Sequence, residues 1–274
     1  MKITKMHGLG NDFILIDDPQ GRDVSLLAKK LCERRLSVGA DGIVLIEPSS
    51  VADIKMRIIN ADGSEAEMCG NGIRCFARYV YETGIVKKEK LSVQTLAGVM
   101  HPELVLKGGK VFCVRVGMGK PVFRAADIPI LTDKPLSYTM DAGGRQYEAH
   151  TVLMGVPHTI VLCDSLSSVC VEEEGRAIET HPLFPKKTNV NFVEIVDGGN
   201  LRMRTWERGA GATLACGTGA CAAAVVCSEL GKTQRTVDVH IAAGTLHIEY
   251  LADGRVMMSG PAAYVFSGET IDED

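Results

Sequence analysis

CGNGIRCFARYVYETG, residues 69–84, returns 147 positions later as CGTGACAAAVVCSELG, residues 216–231. Each copy opens Cys-Gly-x-Gly and runs into a helix-like stretch, expected over 73–83 and 220–230. Each ends on a glycine, Gly84 or Gly231, placed where a helix C-cap glycine belongs. The same offset aligns 8–84 with 155–231 without a gap and gives 14 identities in 77 positions. Ordinary composition would give about one in sixteen. Coincidence between two small-residue turns would not carry the match so far beyond the turns. The sequence therefore predicts two related domains, 1–117 and 118–260, with 261–274 completing the first.

On either side of these stretches, residues 13–16 and 160–162 are short apolar runs of strand type at equivalent places, and 43–46 and 190–195 repeat the pattern. Further β-branched runs at 91–95 and 236–241 follow the two helical segments. Gly108-Gly109 and Asp197-Gly198-Gly199 read as hairpin turns. Strands outnumber helices, with one main helix expected per half. The fold class is α+β, two similar mixed α/β domains.

Composition narrows the partners. The 274 residues carry 30 basic and 34 acidic side chains, net −4, with no basic patch, so a nucleic-acid partner is not expected. The longest wholly apolar run, 220–227, is far too short for a membrane span. The N-terminus lacks an apolar region followed by a small-residue cleavage site, which predicts a cytoplasmic protein with reduced thiols. Nine cysteines, an odd number with no C-x-x-C pair, form neither a disulfide framework nor a zinc ribbon. No metal-ligand cluster or Schiff-base motif stands out, so neither metal nor cofactor is expected.

Cys69 and Cys216 differ from the other seven cysteines in their setting. Each lies just before a helix, after which glycines let the chain turn with its N–H groups exposed. A helix N-terminus lowers the pKa of a thiol placed there, and its N–H groups can hold a carboxylate. A lone cysteine before a helix is usually packing. Two at matched positions of a repeat suit an acid–base pair that removes a proton from one face of a carbon and returns one to the other. Cys75, Cys221 and Cys227 fall inside the helices and are read as packing; Cys32, Cys113, Cys163 and Cys170 have no supporting context.

The chain resembles the diaminopimelate epimerase family nearly end to end. The likeness rests on Lys5-Met6-His7-Gly8-Leu9-Gly10-Asn11-Asp12-Phe13, on Asn60-Ala61-Asp62-Gly63-Ser64 and on Met68-Cys69-Gly70-Asn71-Gly72. It continues through Asn189-Val190, Glu207-Arg208-Gly209-Ala210-Gly211 and Ala215-Cys216-Gly217-Thr218-Gly219-Ala220-Cys221. The resemblance implies two pseudo-symmetric α/β domains with the active site in the cleft between them, commonly as a homodimer. It implies cofactor-independent epimerisation of LL-2,6-diaminopimelate to the meso isomer, in the supply of lysine and peptidoglycan precursors. Cys69 and Cys216 would be the two bases, with His158 and Glu207 also catalytic. The backbone of Gly70, Asn71, Gly217 and Thr218 would hold the α-carboxylate, and Asn11, Asn60, Asn189 and Arg208 would bind the substrate's other polar groups.

The repeat itself supports part of this, because it aligns Asn11 with His158 and Asn60 with Glu207. Three positions depart from the commonest family pattern: Val156 for asparagine, Gly42 for a glutamine found in some members, and Ala212 for glutamate. They leave open an amino-acid racemase of the same scaffold, for histidine among other substrates. A non-catalytic amino-acid-binding module is the alternative outside enzymes.

Overall fold

The structure, a computed structural model, describes residues 1–271, so the end of the 261–274 segment lies outside the described residues. The chain forms two compact units, one of Met1–Gly117 with the chain from Ser259 onward, the other of Met118–Met258. Unit 1 contains β1 (Lys2–Gly8), β2 (Asn11–Ile16), α1 (Val24–Cys32), β3 (Gly42–Glu47), β4 (Ile54–Asn60), β5 (Glu65–Ala66) and α2 (Gly70–Glu82). The short strands β6 (Val93–Thr95) and β7 (Gly98–Met100) and a hairpin of β8 (Glu103–Lys107) and β9 (Lys110–Gly117) follow. Unit 2 begins with β10 (Tyr138–Ala142), β11 (Arg145–Met154), β12 (Val156–Leu162), α3 (Val171–Glu179), β13 (Asn189–Asp197) and β14 (Asn200–Glu207). It continues with β15 (Gly211–Thr213), α4 (Gly217–Glu229), β16 (Thr236–Ile241) and β17 (Gly244–Tyr250), and the boundary at Met258 falls within β18 (Val256–Gly260). The chain then returns to unit 1 as β19 (Ala263–Glu269).

Each unit contains one main sheet, and the β8–β9 hairpin of unit 1 lies outside that unit's sheet. In unit 1 the order is β19-β1-β2-β3-β4-β6-β7 with β5 on β4, and in unit 2 it is β10-β11-β12-β13-β14-β16-β17-β18 with β15 on β14. The pairs β2/β3 and β4/β6 are parallel, as are β12/β13 and β14/β16. A parallel pair needs a crossover. In each unit the helix that carries the cysteine lies in the crossover between the second parallel pair.

Each unit has its expected main helix of 13 residues, α2 or α4, and a second helix of nine residues, α1 or α3. In unit 1, α1 covers one face of the sheet with Leu27, Ala28, Leu31 and Cys32 against Ile14, Ile16, Ile43, Leu45 and Ile59. The alternate residues Phe13 and Ile58 point the other way, to the first turn of α2. With both faces covered, β2 and β3 read as continuous apolar runs. Helices α1 and α3 are hard to read from sequence because each has only nine residues. In α3 an interior glycine reads as a break. Gly175 is there because a Cβ would stand 2.5 Å from that of Trp206.

The repeat extends to hydrogen-bond register. Helices α3 and α4 have the limits of α1 and α2 displaced by 147 residues. Ile43 pairs with Ile59 as Val190 pairs with Trp206, and Ile58 pairs with Ala66 as Thr205 pairs with Thr213. The parallel pairs differ: Phe13 faces Gly42, whereas His158 faces Asn189, a slip of two residues.

Candidate active site

In unit 1 the site grows from the start of α2. Cys69 is its N-cap, in extended conformation, and the Gly72 N–H donates to Cys69 Sγ at 3.4 Å. The sulfur stands where serine or aspartate oxygen caps other helices, facing the positive end of the helix dipole. The half-buried thiol also lies 3.5 Å from Asn11 Oδ1, which accepts from Asn71 Nδ2 at 3.1 Å as well. Asn71 Oδ1 is buried with no hydrogen-bond partner among the described residues.

Behind Asn11 lies an ionic network. Asn11 Nδ2 donates to Asp41 Oδ2 at 2.6 Å, and Arg34 binds both Asp41 and Asp12 at 2.7 Å. Lys5 adds a contact of 3.0 Å to Asp12. Burial alone would push the Asp12 carboxyl up, but hydrogen bonds and charge from Arg34 and Lys5 outweigh it and hold the group below the usual carboxylate range. Asn60 is half-buried at the end of β4, with Nδ2 donating to Ser64 Oγ at 3.0 Å, and it pairs with Gly42 across the ladder. A Cβ on Gly42 would lie 2.7 Å from the Ile59 carbonyl oxygen. Glycine at 42 thus has a local steric cause, close backbone approach, and does not by itself mark a lost substrate contact.

In unit 2 the start of α4 repeats the arrangement with a different environment. Cys216 is the N-cap, buried, with Sγ 3.6 Å from Thr218 Oγ1. Burial and then the carboxylate of Glu207 push this thiol's pKa well up, overriding the helix terminus that was expected to lower it. Glu207 Oε1 accepts from Thr213 Oγ1 at 2.6 Å. His158 is fully buried, and burial together with the Arg208 charge drives its pKa down to about 3, so the ring is neutral. Asn189 Oδ1 accepts from the Arg208 N–H at 2.8 Å, and the exposed Arg208 side chain donates to the Lys186 carbonyl at 2.9 Å. Val156 follows Gly155 at a tight turn with φ +74, and Ala212 is exposed in β15.

Each unit therefore gathers its own share of the sequence candidates. Cys69, Asn11, Gly70 and Asn71 lie together in unit 1, with Asn60 at the end of β4. Cys216, Glu207, Gly217 and Thr218 lie together in unit 2, with His158, Asn189 and Arg208 linked through β12 and β13. Sequence reasoning passed over Asp41, Arg34, Asn191, Thr205 and Thr213. Only Asn191 left a signal, because in Asn189-Val190-Asn191 the two asparagines fall on one face of a strand.

Fold and sites together define a duplicated α+β protein in which the equivalent helices α2 and α4 each start from a cysteine. The solved structures with this fold include a phenazine biosynthesis protein of the PhzF family from Bacillus anthracis, with TM-score 0.71, 16% identity and 99% of both chains covered. A probable proline racemase from Agrobacterium radiobacter K84 matches with TM-score 0.69 and 16% identity over 99% of this chain and 93% of its own. The model of the diaminopimelate epimerase family matches residues 3–124 and 150–265. A diaminopimelate epimerase from Caldanaerobacter subterraneus subsp. tengcongensis is 53% identical over 98% of this chain and 99% of its own, and one from Desulfitobacterium hafniense is 49% identical over 100% and 99%. The chain belongs to the diaminopimelate epimerase family.

Proposed function

We propose that the protein epimerises LL-2,6-diaminopimelate to meso-diaminopimelate by two-base chemistry at a single α-carbon. The observation that carries this reading is the pair of cysteines, each the N-cap of an equivalent helix in a repeated unit. One cysteine, as thiolate, takes the α-proton and becomes a thiol. The electron pair left on carbon spreads into the α-carboxylate. The other cysteine, as thiol, gives its proton to the opposite face and becomes the thiolate. Cys69 and Cys216 exchange these roles when the direction reverses, so neither direction needs a different tool.

The growing carboxylate charge would be met by the N–H groups of Gly70 and Asn71 at one helix terminus and of Gly217 and Thr218 at the other. His158 and Glu207 would orient the reacting centre and tune proton transfer. Asn11, Asn60, Asn189 and Arg208 would hold the remaining polar groups, with the planar guanidinium of Arg208 suited to the distal carboxylate. This chemistry calls for no cofactor. We place the enzyme in the cytoplasm, as a homodimer, supplying lysine and cell-wall precursors. Among the described residues no helix is long and apolar enough to cross a membrane.

The test uses reduced protein in deuterated water with no added pyridoxal phosphate. Proton NMR follows α-hydrogen loss, and chiral chromatography follows the isomers, for diaminopimelate, histidine, glutamate and lysine. Exchange with formation of the meso isomer from diaminopimelate alone is the expected result. Exchange on another amino acid instead would overturn the substrate and keep the two-thiol chemistry, and no exchange on any of them would overturn both.

A further inference from the structure

His158 and Asn191 stand on the neighbouring parallel strands β12 and β13, and both are fully buried. Asn191 Nδ2 lies 3.2 Å from His158 Nδ1. On the other side of the carboxamide, the Thr205 hydroxyl donates to Asn191 Oδ1 at 3.1 Å. The oxygen thus faces a hydroxyl donor and the NH2 group faces the ring. An amide N–H can only donate, so Nδ1 accepts and the single ring proton of the neutral imidazole sits on Nε2. That Nε2 is shielded from solvent and has no hydrogen-bond partner among the described residues. Buried polar groups are rarely left unpaired, so this one calls for an explanation.

The same carboxamide is packed beneath the first turn of α4. A Cβ on Gly219 would come within 2.4 Å of Asn191 Oδ1 and 3.2 Å of Cys216 Sγ, so the gap left by one glycine accommodates both the amide and the thiol. Asn191 therefore couples the imidazole to the helix terminus that carries Cys216.

We propose that Asn191 is a positioning residue that locks His158 as the neutral Nε2–H tautomer, so that the imidazole meets an incoming group as a hydrogen-bond donor. The partner is then an acceptor, a carboxylate or a thiolate, and not the substrate ammonium, which has only protons to give. The suppressed basicity of the buried ring keeps that single donor in place. The tautomer rests on geometry alone, and its use on an amino acid rests on the epimerase reading.

Long-range proton–nitrogen correlation spectra of protein labelled with nitrogen-15 in its seven histidines test it directly. The His158 signals are assigned by their loss in His158→Gln. Between about pH 5 and 8 the wild-type ring is expected to show an unprotonated Nδ1 and a protonated Nε2 throughout. In Asn191→Asp the carboxylate can only accept, so the proton is expected to move to Nδ1 and α-proton exchange to fall at least about tenfold. A wild-type ring protonated on Nδ1, or one that titrates near about 6.5, would overturn the proposal. So would an Asn191→Asp protein that keeps the wild-type tautomer and rate. Should Asn191→Asp not fold, the wild-type spectrum decides alone. If that spectrum is as expected while wild-type protein exchanges no α-proton of diaminopimelate, the epimerase reading fails and the tautomer lock stands.

Discussion

Asp41 Oδ2 accepts a hydrogen bond from Asn11 Nδ2 at 2.6 Å, and this contact turns the carbonyl end of Asn11 toward Cys69 Sγ. Without it the direction would rest on Asn71 Nδ2 alone, which donates to the same Asn11 Oδ1 at 3.1 Å. Asp41→Asn removes the charge that fixes the direction. A charge-assisted hydrogen bond contributes about 1.5–3 kcal/mol, so kcat/KM is expected to fall about tenfold or more. Steady-state kinetics on LL-diaminopimelate provide the check, and an unchanged kcat/KM would remove Asp41 from this role.

The two thiols should be separately indispensable. Cys69→Ser and Cys216→Ser are each expected to slow epimerisation by about a hundredfold to ten-thousandfold, the usual worth of a positioned acid or base. Chiral chromatography against time measures the loss. A single-base enzyme would keep its turnover in one of the two variants.

Two glycines should resist a methyl group for steric reasons alone. The added Cβ would lie 2.4 Å from Asn191 Oδ1 in Gly219→Ala and 2.7 Å from the Ile59 carbonyl in Gly42→Ala. Overpacking of this kind costs about 1–3 kcal/mol. Gly198→Ala is the control, since nothing there comes closer than 4.0 Å. Urea midpoints should fall for the first two variants with little change in slope, and hold for the third.

Asp53 gives a pH prediction with a definite sign. The Lys88 ammonium first, then the Ser92 N–H and hydroxyl, hold its pKa down to about 2. In the unfolded chain an aspartate titrates near about 3.9, so its contribution is present above that value and is lost as pH falls toward about 2. Asp53→Asn should therefore lower the urea midpoint at pH 7 and leave it nearly unchanged at about pH 2. Equal losses at both pH values would point to packing instead of charge.

The repeat, the two cysteine caps and the residues beside them were legible because they are local. Cys69, Gly72 and Gly84 belong to one helix and its ends, and a fixed offset of 147 finds their counterparts. The small helices were not legible, since nine residues are too short a stretch for a helical period to stand out, although the buried residues of α1 do form one stripe. Orientation was also out of reach. Asp41 is thirty residues from Asn11, and Asn191 meets His158 only because β12 and β13 run parallel with His158 facing Asn189. Nor does a sequence distinguish a glycine that replaces a contact from one, such as Gly42, that makes room for a carbonyl.

β1 lies between β2 and β19, with Lys2 facing Glu269 and His7 facing Ala263. On the ribosome this has a temporal consequence. One neighbour of the first strand is not made until the whole of unit 2 has emerged, so unit 1 must wait for its last strand while unit 2, continuous in the chain, can finish ahead of it. The Thr270 N–H donates to the Met1 carbonyl at 2.9 Å, which brings these two residues side by side. A permuted gene that joins them through a short linker and opens the chain at the Gly108-Gly109 turn would place β19 and β1 next to each other in order of synthesis.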